Sequence, residues 1–209
     1  MSEPTLSNKP LIELPPPRMT GGLPLMEAIA RRHSTRAFRK DDLPLQEVSN
    51  ILWAAAGHNR PYAGVGIHVE GCRASPGAHN WQEIDIHVAS AHGLHLYDPH
   101  RHVLVKQLDQ DIRAYTAHPT QPFVADAPLN LIYVSDTARM HDAIEWDFGV
   151  FPWADTAVMV ENVYLYCASE GLATVCRALF DRPALTEVMR LRPQQLVTFH
   201  QLVGYKISN

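Results

Sequence analysis

No run in this chain of 209 residues approaches the 18 or so consecutive apolar residues that a membrane-spanning helix requires. Cysteine is scarce: Cys72, Cys167 and Cys176 are an odd number with no CxxC spacing. That argues against a disulfide framework and against a zinc ribbon, and leaves buried or idle thiols. Positive charge is not in excess either, since 18 Lys and Arg against 22 Asp and Glu give a net charge of -4. The chain therefore has no broad basic field for nucleic acid or an anionic membrane, and any anion site must be local. Also missing are a glycine loop of the P-loop or dinucleotide type, a GxSxG elbow and an HExxH pair. The start, "MSEPTLSNKPLIELPPP", is too polar and proline-rich for a signal peptide, so a cytoplasmic chain is expected.

With 46% hydrophobic and 19% charged residues, the composition suits one compact domain with a sizeable core. Histidine is abundant, and "HVASAHGLHLYDPHRH" gathers His87, His92, His95, His100 and His102. Imidazole suits transition metals, but the alternation around this segment reads as two strands about a turn, which sends the rings to different faces. No metal site is expected.

Along the chain, prolines at 4, 10 and 15 to 17 make residues 1–22 an extended arm, which needs something to lie against. Residues 23–209 form the single domain. A first helix is expected from about Pro24 to His33, with Leu25, Met26, Ile29 and Ala30 at helical spacing. A second covers "PLQEVSNILWAAA" and stops at Gly57. The glycine-rich "RPYAGVGIHVEGCRASPGAHN" is a long connection, of a length that is usually functional. "WQEIDIHVA" and "HLYDPHRHVLVKQ" read as strands, "LDQDIRAYTA" as a short helix and "APLNLIYVSD" as a buried strand. "TARMHDAIEWDFGVFPW" reads as irregular, followed by the longest helix from about Ala154 to Glu170, ended by Gly171. Strand "LATVCRAL", helix "RPALTEVMRL" and strand "FHQLVGYK" complete an α+β order with no regular βαβ repeat.

Four stretches carry possible chemistry. "RRHSTR", residues 31 to 36, puts three arginines, a histidine and two hydroxyls into one turn of chain. It is either a solvated helix end, where cations complement the macrodipole, or a phosphate site, since guanidinium forks and hydroxyls are what a phosphate dianion needs. The others are "SPGAHNWQE", the aromatic "EWDFGVFPW", and the strand after Gly171.

Together and in this order, these stretches resemble the FMN-dependent nitroreductase superfamily, with its RRxSxR-like phosphate motif, PSxxN-like loop and later "GL.T…FD". "LYDPHRHVLV", "QPFVADAPLNLIYV" and "ENVYLYCASEGLATV" look closest to the branch of SagB-type oxidases and dehydrogenases. The resemblance implies a nitroreductase-like fold: a central mixed or antiparallel sheet flanked by helices, in an intertwined homodimer with FMN at the subunit interface. It implies that Arg32, Ser34 and Arg36 hold the FMN phosphate with His33 contributing, and that Lys206 is either a further phosphate ligand or a solvated tail lysine. Pro76, Gly77 and Asn80 match the loop that reaches the flavin of the neighbouring subunit. Gly77 stands where the family often has serine, and Asn80 could instead cap its own turn. Gln121 falls where the family places a polar group against the pyrimidine edge, or is an exposed loop glutamine. The backbone N–H groups of Ala178 and Leu179 map beside flavin N5 and O4.

On this resemblance no side chain need act as acid or base, because the flavin N5 carries the chemistry. NADH or NADPH is the implied electron donor, and a nitroaromatic or quinone-like small molecule the acceptor, in a ping-pong cycle. Trp146, Phe148, Phe151 and Trp153 either line the substrate pocket or belong to the core. Two alternatives stay open: a SagB-like dehydrogenase or oxidase of a small metabolite or peptide, and a flavin-binding module without turnover.

Overall fold

The structure, a computed structural model, describes residues 10–61 and 71–207. Residues 1–9 of the expected arm and 62–70 of the glycine-rich connection lie outside the described residues. The chain folds as α+β around a seven-stranded sheet of order β1-β6-β5-β4-β7-β9-β8, with every neighbouring pair antiparallel. Its strands are β1 (Leu11–Glu13), β4 (Ile84–Ser90), β5 (Gly93–Asp98), β6 (Val103–Leu108), β7 (Leu129–Asp136), β8 (Leu172–Arg177) and β9 (Gln195–Tyr205). A two-stranded ribbon, β2 (His58–Arg60) with β3 (Cys72–Arg73), flanks the connection expected to be wholly irregular.

β7 sits in the middle, and its unbroken apolar run is buried throughout. Alternate residues feed two cores, because successive strand side chains point to opposite faces. Leu131 and Tyr133 face the layer of α2 (Leu45–Ala56) and α3 (Glu145–Glu170), with Ile51, Leu52, Met159 and Val163. Ile132 and Val134 face α4 (Arg182–Met189), with Leu185 and Met189. Both faces of the central strands are covered, so a Leu131→Ala cavity should cost about 2–5 kcal/mol.

The arm finds its support. Residues 11–13 add β1 to the edge strand β6, and Ser49 Oγ donates to the Pro15 carbonyl at 2.5 Å. Arg18 N–H donates to Asn50 at 2.9 Å.

Four expectations need correction. The first helix, α1 (Leu25–Arg31), ends two residues early because Arg32 turns to extended ψ of 123°. "HLYDPHRHVLVKQ" is two strands, β5 and β6, since Pro99 and the left-handed His102 (φ 52°) break it. "LDQDIRAYTA" forms only a 3₁₀ turn at Arg113–Thr116. The longest helix starts at Glu145, not Ala154: the Asp147 carboxylate accepts the Ile144 N–H at 2.9 Å and opens the first turn. Pro152 then stays buried inside the helix. Gly171 ends that helix as expected, at φ 73°, a left-handed conformation that suits glycine.

Candidate functional site

At the end of α1 the chain leaves the helix and runs beside β8. Thr35 N–H donates to the Thr174 carbonyl at 2.9 Å, and Phe38 bridges to Lys206 at the end of β9. This places "RRHSTR" over the C-terminal turns of α3. Tyr164 on that helix accepts the Cys176 N–H at 2.8 Å and lies 3.0 Å from Ser34 Oγ. With the tyrosine proton given to Ser34, the serine hydroxyl still has a proton to donate outward. The Arg32 guanidinium sits over the Tyr164 ring at 5.3 Å.

Arg31 is held by Glu27 at 2.5 Å, one turn back, so it faces away from Arg32 as adjacent helical residues do. His33 Nδ1–H donates to the Arg31 carbonyl at 2.7 Å, which leaves Nε2 as the free ring nitrogen. His33, Arg31 and Lys206 line one open hollow with Ser169, Glu170 and Gly171. Glu170, the carboxylate in that hollow, pairs with Arg18 at 3.0 Å. Arg32, Arg36 and Lys206 form no ion pair among the described residues. Arg32 and Ser34 meet at Tyr164, and Lys206 lines the hollow beside His33; a guanidinium, an ammonium and a hydroxyl are donors that suit a dianion.

The other end of β8 carries a polar cluster that sequence reasoning missed. Arg177 is buried, and its Nε donates to Gln121 Oε1 at 2.5 Å. Its other nitrogens reach the Thr116 carbonyl at 3.2 Å, His200 Nε2 at 3.1 Å and the Leu179 carbonyl at 2.9 Å. Burial lowers the Arg177 pKa, and none of its partners is a carboxylate. Burial first, then Arg177 and Arg182, push His200 down to about 3, so it stays neutral and accepts from Arg177. Gln121 thus spends its oxygen on Arg177, and its amide nitrogen is the group left for a ligand. Ala178 and Leu179 lie exposed just past the strand. About 10 Å of strand separates Thr174, beside the cations, from Arg177. A charged residue inside the apolar "LATVCRAL" was the available signal for this cluster.

The "SPGAHN" loop sits elsewhere. Ala78 N–H donates to Asp155 Oδ2 on α3 at 2.8 Å, and a Cβ on Gly77 would stand 3.2 Å from that oxygen. Asp155 precedes Tyr164 by about 14 Å of helix, so within one chain Pro76, Gly77 and Asn80 stand apart from the cations. Asn80, at φ 53°, spends its amide locally, donating to the Gly71 carbonyl at 3.3 Å and accepting from Gln82 at 3.2 Å.

The four aromatic residues lie on the first two turns and more of α3, and they divide. Trp146 meets Phe151 edge-on at 5.6 Å, and Phe151 meets Trp81 at 5.8 Å. Trp81 stacks with His79 at 4.4 Å, making an aromatic ledge beside the loop. Trp153 turns away to Phe199 at 5.3 Å and to Arg182 at 5.9 Å. Phe148 is exposed without a ring partner among the described residues. Within one chain the four rings do not make a single cluster. The histidines of residues 87–102 disperse as alternation requires: His92 bonds Asp42 at 3.1 Å, and His102 lies between Ser49 at 2.8 Å and Tyr97 at 2.9 Å. Among the described residues no group of His, Cys, Asp and Glu could hold a metal ion, and no helix is long and apolar enough to cross a membrane.

The sequence profile described as the nitroreductase family matches residues 29–205. A crystal structure of a candidate nitroreductase from Ralstonia eutropha JMP134 is 38% identical, with a TM-score of 0.86, covering 95% of this chain and 90% of that one. A candidate nitroreductase of Methanocaldococcus jannaschii is 28% identical over 193 residues, 88% of this chain and 92% of its own length. A candidate NADH oxidase from Clostridium acetobutylicum, 17% identical with a TM-score of 0.58 over 87% of this chain and 89% of that one, shares the fold.

Proposed function

The chain belongs to the nitroreductase family, and from that premise we propose that it is an FMN-dependent NAD(P)H oxidoreductase reducing a nitroaromatic or quinone-like small molecule. The observation that carries this reading is the pairing of Arg32 and Ser34 at Tyr164, with Lys206 at the adjoining end of β9, beside a strand whose other end offers Gln121 and the Ala178–Leu179 backbone.

These residues fit FMN by the chemistry of their donors. Arg32, Arg36 and Lys206 supply charge for the phosphate, and Ser34 supplies a hydroxyl proton. Tyr164 fixes Ser34 from below and stacks under Arg32, so neither side chain must be ordered anew when the phosphate arrives. Gln121, held by Arg177, presents its NH₂ group to a ring carbonyl. FMN bound there would supply the redox chemistry between a nicotinamide donor and the acceptor, so no side chain need act as acid or base.

The working unit we propose is a homodimer in the cytoplasm. The stripe of Leu25, Met26 and Ile29 on α1, read from its helical spacing, is 62%, 73% and 46% exposed in the single chain, while only Ala28 of that helix is buried. A second copy would cover it, and the "SPGAHN" loop, remote from its own cations, would serve the partner's flavin. The experiment is anaerobic mixing of the flavin-loaded protein with NADH and with NADPH. Bleaching of the flavin absorbance by either supports the proposal. A flavin that stays oxidised with both and is reduced only by an oxidisable metabolite would replace the reductase with a dehydrogenase or oxidase.

A further inference from the structure

The "SPGAHN" loop rests on a small chamber lined mainly by polar residues. Arg73, Ser75, Gly77, Gln82, Glu83 and Asp155 line a space of about 10 Å³, the room of one water molecule. Arg73 on β3, Glu83 just before β4 and Asp155 on α3 are all buried. Arg73 Nη1 donates to the Ile84 carbonyl at 2.7 Å, and Asp155 accepts the Ala78 N–H at 2.8 Å. Three buried polar atoms of these lining residues, Arg73 Nε, Ser75 Oγ and Glu83 Oε1, make no hydrogen bond within the described protein. A donor, a hydroxyl and an acceptor around one water-sized space are the usual three partners of a buried water.

The charges there do not balance without a proton. Two carboxylates, Glu83 and Asp155, line the chamber with one guanidinium, that of Arg73, which forms no ion pair with either among the described residues. The neighbouring Arg139 is taken by Asp85 at 2.9 Å and spends a further donor on the Glu83 carbonyl at 2.7 Å. The remaining titratable neighbours are Tyr97, kept neutral because burial raises its pKa, and His79 in the loop, stacked on Trp81. Two like charges lining one water-sized space with a single counter-charge cannot both persist away from water.

We propose that Glu83 and Asp155 share one proton beside a single bound water, and that this proton holds the Pro76–Asn80 loop on α3, making the loop a pH-gated element. With Glu83 protonated, its O–H donates to Asp155, and Asp155 keeps its charge for the Ala78 N–H. Burial first, and Asp155 second, push the Glu83 carboxyl up to about 7. Burial also raises Asp155, against the pull of the Ala78 N–H, the Glu83 hydrogen bond and Arg73. Loss of the proton sets two carboxylates against each other. The side chain of Glu83 is enclosed, so the separation falls on Asp155 and on the loop it grips. The inference stands on the chamber alone and does not require the flavin reading.

The test is an amide NMR titration of the purified full chain from about pH 5 to about pH 9, following Ala78 N–H and the Trp81 indole N–H. We expect both to titrate together, to keep titrating in His79→Gln, and to stay at their low-pH positions throughout in Glu83→Gln, the neutral isostere. An Ala78 signal that is flat in the wild type, or that titrates with unchanged midpoint in Glu83→Gln, would overturn the proposal. Infrared difference spectra of the wild type give a check that needs no variant. A buried neutral carboxyl band that disappears as pH rises through about 7 is expected, and its absence on the acid side would refute the shared proton.

Discussion

Arg177 enters the fold as a buried cation whose partners are a glutamine oxygen, two carbonyls and a neutral histidine. A histidine in that position must stay uncharged, and this fixes a pH dependence. His200 titrates at about 3 in the fold against an ordinary 6.5, so the unfolded chain binds the extra proton. Its contribution is whole above about pH 6.5 and is lost as pH falls toward about 3. We expect His200→Gln, which cannot titrate, to flatten this part of the acid limb in urea denaturation at stepped pH; an unchanged limb would contradict the neutral assignment. Tyr164 makes a second residue-scale prediction. Its hydroxyl satisfies the Cys176 N–H and braces Ser34. Tyr164→Phe leaves those groups unpaired and should cost about 1–3 kcal/mol in denaturant midpoint analysis.

At the scale of elements, α3 shows what periodicity can and cannot convey. Its C-terminal half was legible because Val158, Val160, Val163, Leu165 and Ala168 make it apolar nearly all round and Gly171 marks the stop. Its first turns were not, because Gly149 and Pro152 look like breakers and nothing local says that packing will keep them helical. Pro152 is buried, and its carbonyl accepts from Thr156 Oγ1 at 2.6 Å. The helix start depends on Asp147, so Asp147→Ala should remove about 1 kcal/mol and lower Tm by about 2–4 °C for a chain of this length. An unchanged Tm would show that aromatic packing alone sets the start. β7 was legible for the opposite reason: an unbroken apolar run has one reading when it is short, and the strand proves central and covered on both faces. The candidate site divides in the same way. The cationic turn could be read from six adjacent residues, whereas Arg73, Glu83 and Asp155 meet only after three remote segments fold together.

For the whole molecule, the exposed stripe of α1 is an apolar surface that a single chain leaves uncovered. Leu25, Met26 and Ile29 carry the helical spacing of a core face and do not meet their own core. Periodicity marks a face as apolar; it does not say whether the same chain or another copy covers it. Light scattering should give twice the mass of one chain, and Met26→Lys with Ile29→Asp should shift it toward one, since unpaired charges would be buried at the contact. A monomeric wild type would remove the dimer from the account, and with it the service of the "SPGAHN" loop to a partner.

The central claim is that "RRHSTR" exists to hold a phosphate. It is tested most directly by titrating the flavin-free protein with FMN and with riboflavin, which differ only in that group, in the wild type and in Arg32→Ala. A charge-assisted bond is worth about 1.5–3 kcal/mol, so Arg32→Ala should weaken FMN about 10- to 150-fold and leave riboflavin unchanged. Equal affinity of the wild type for the two flavins would contradict the account.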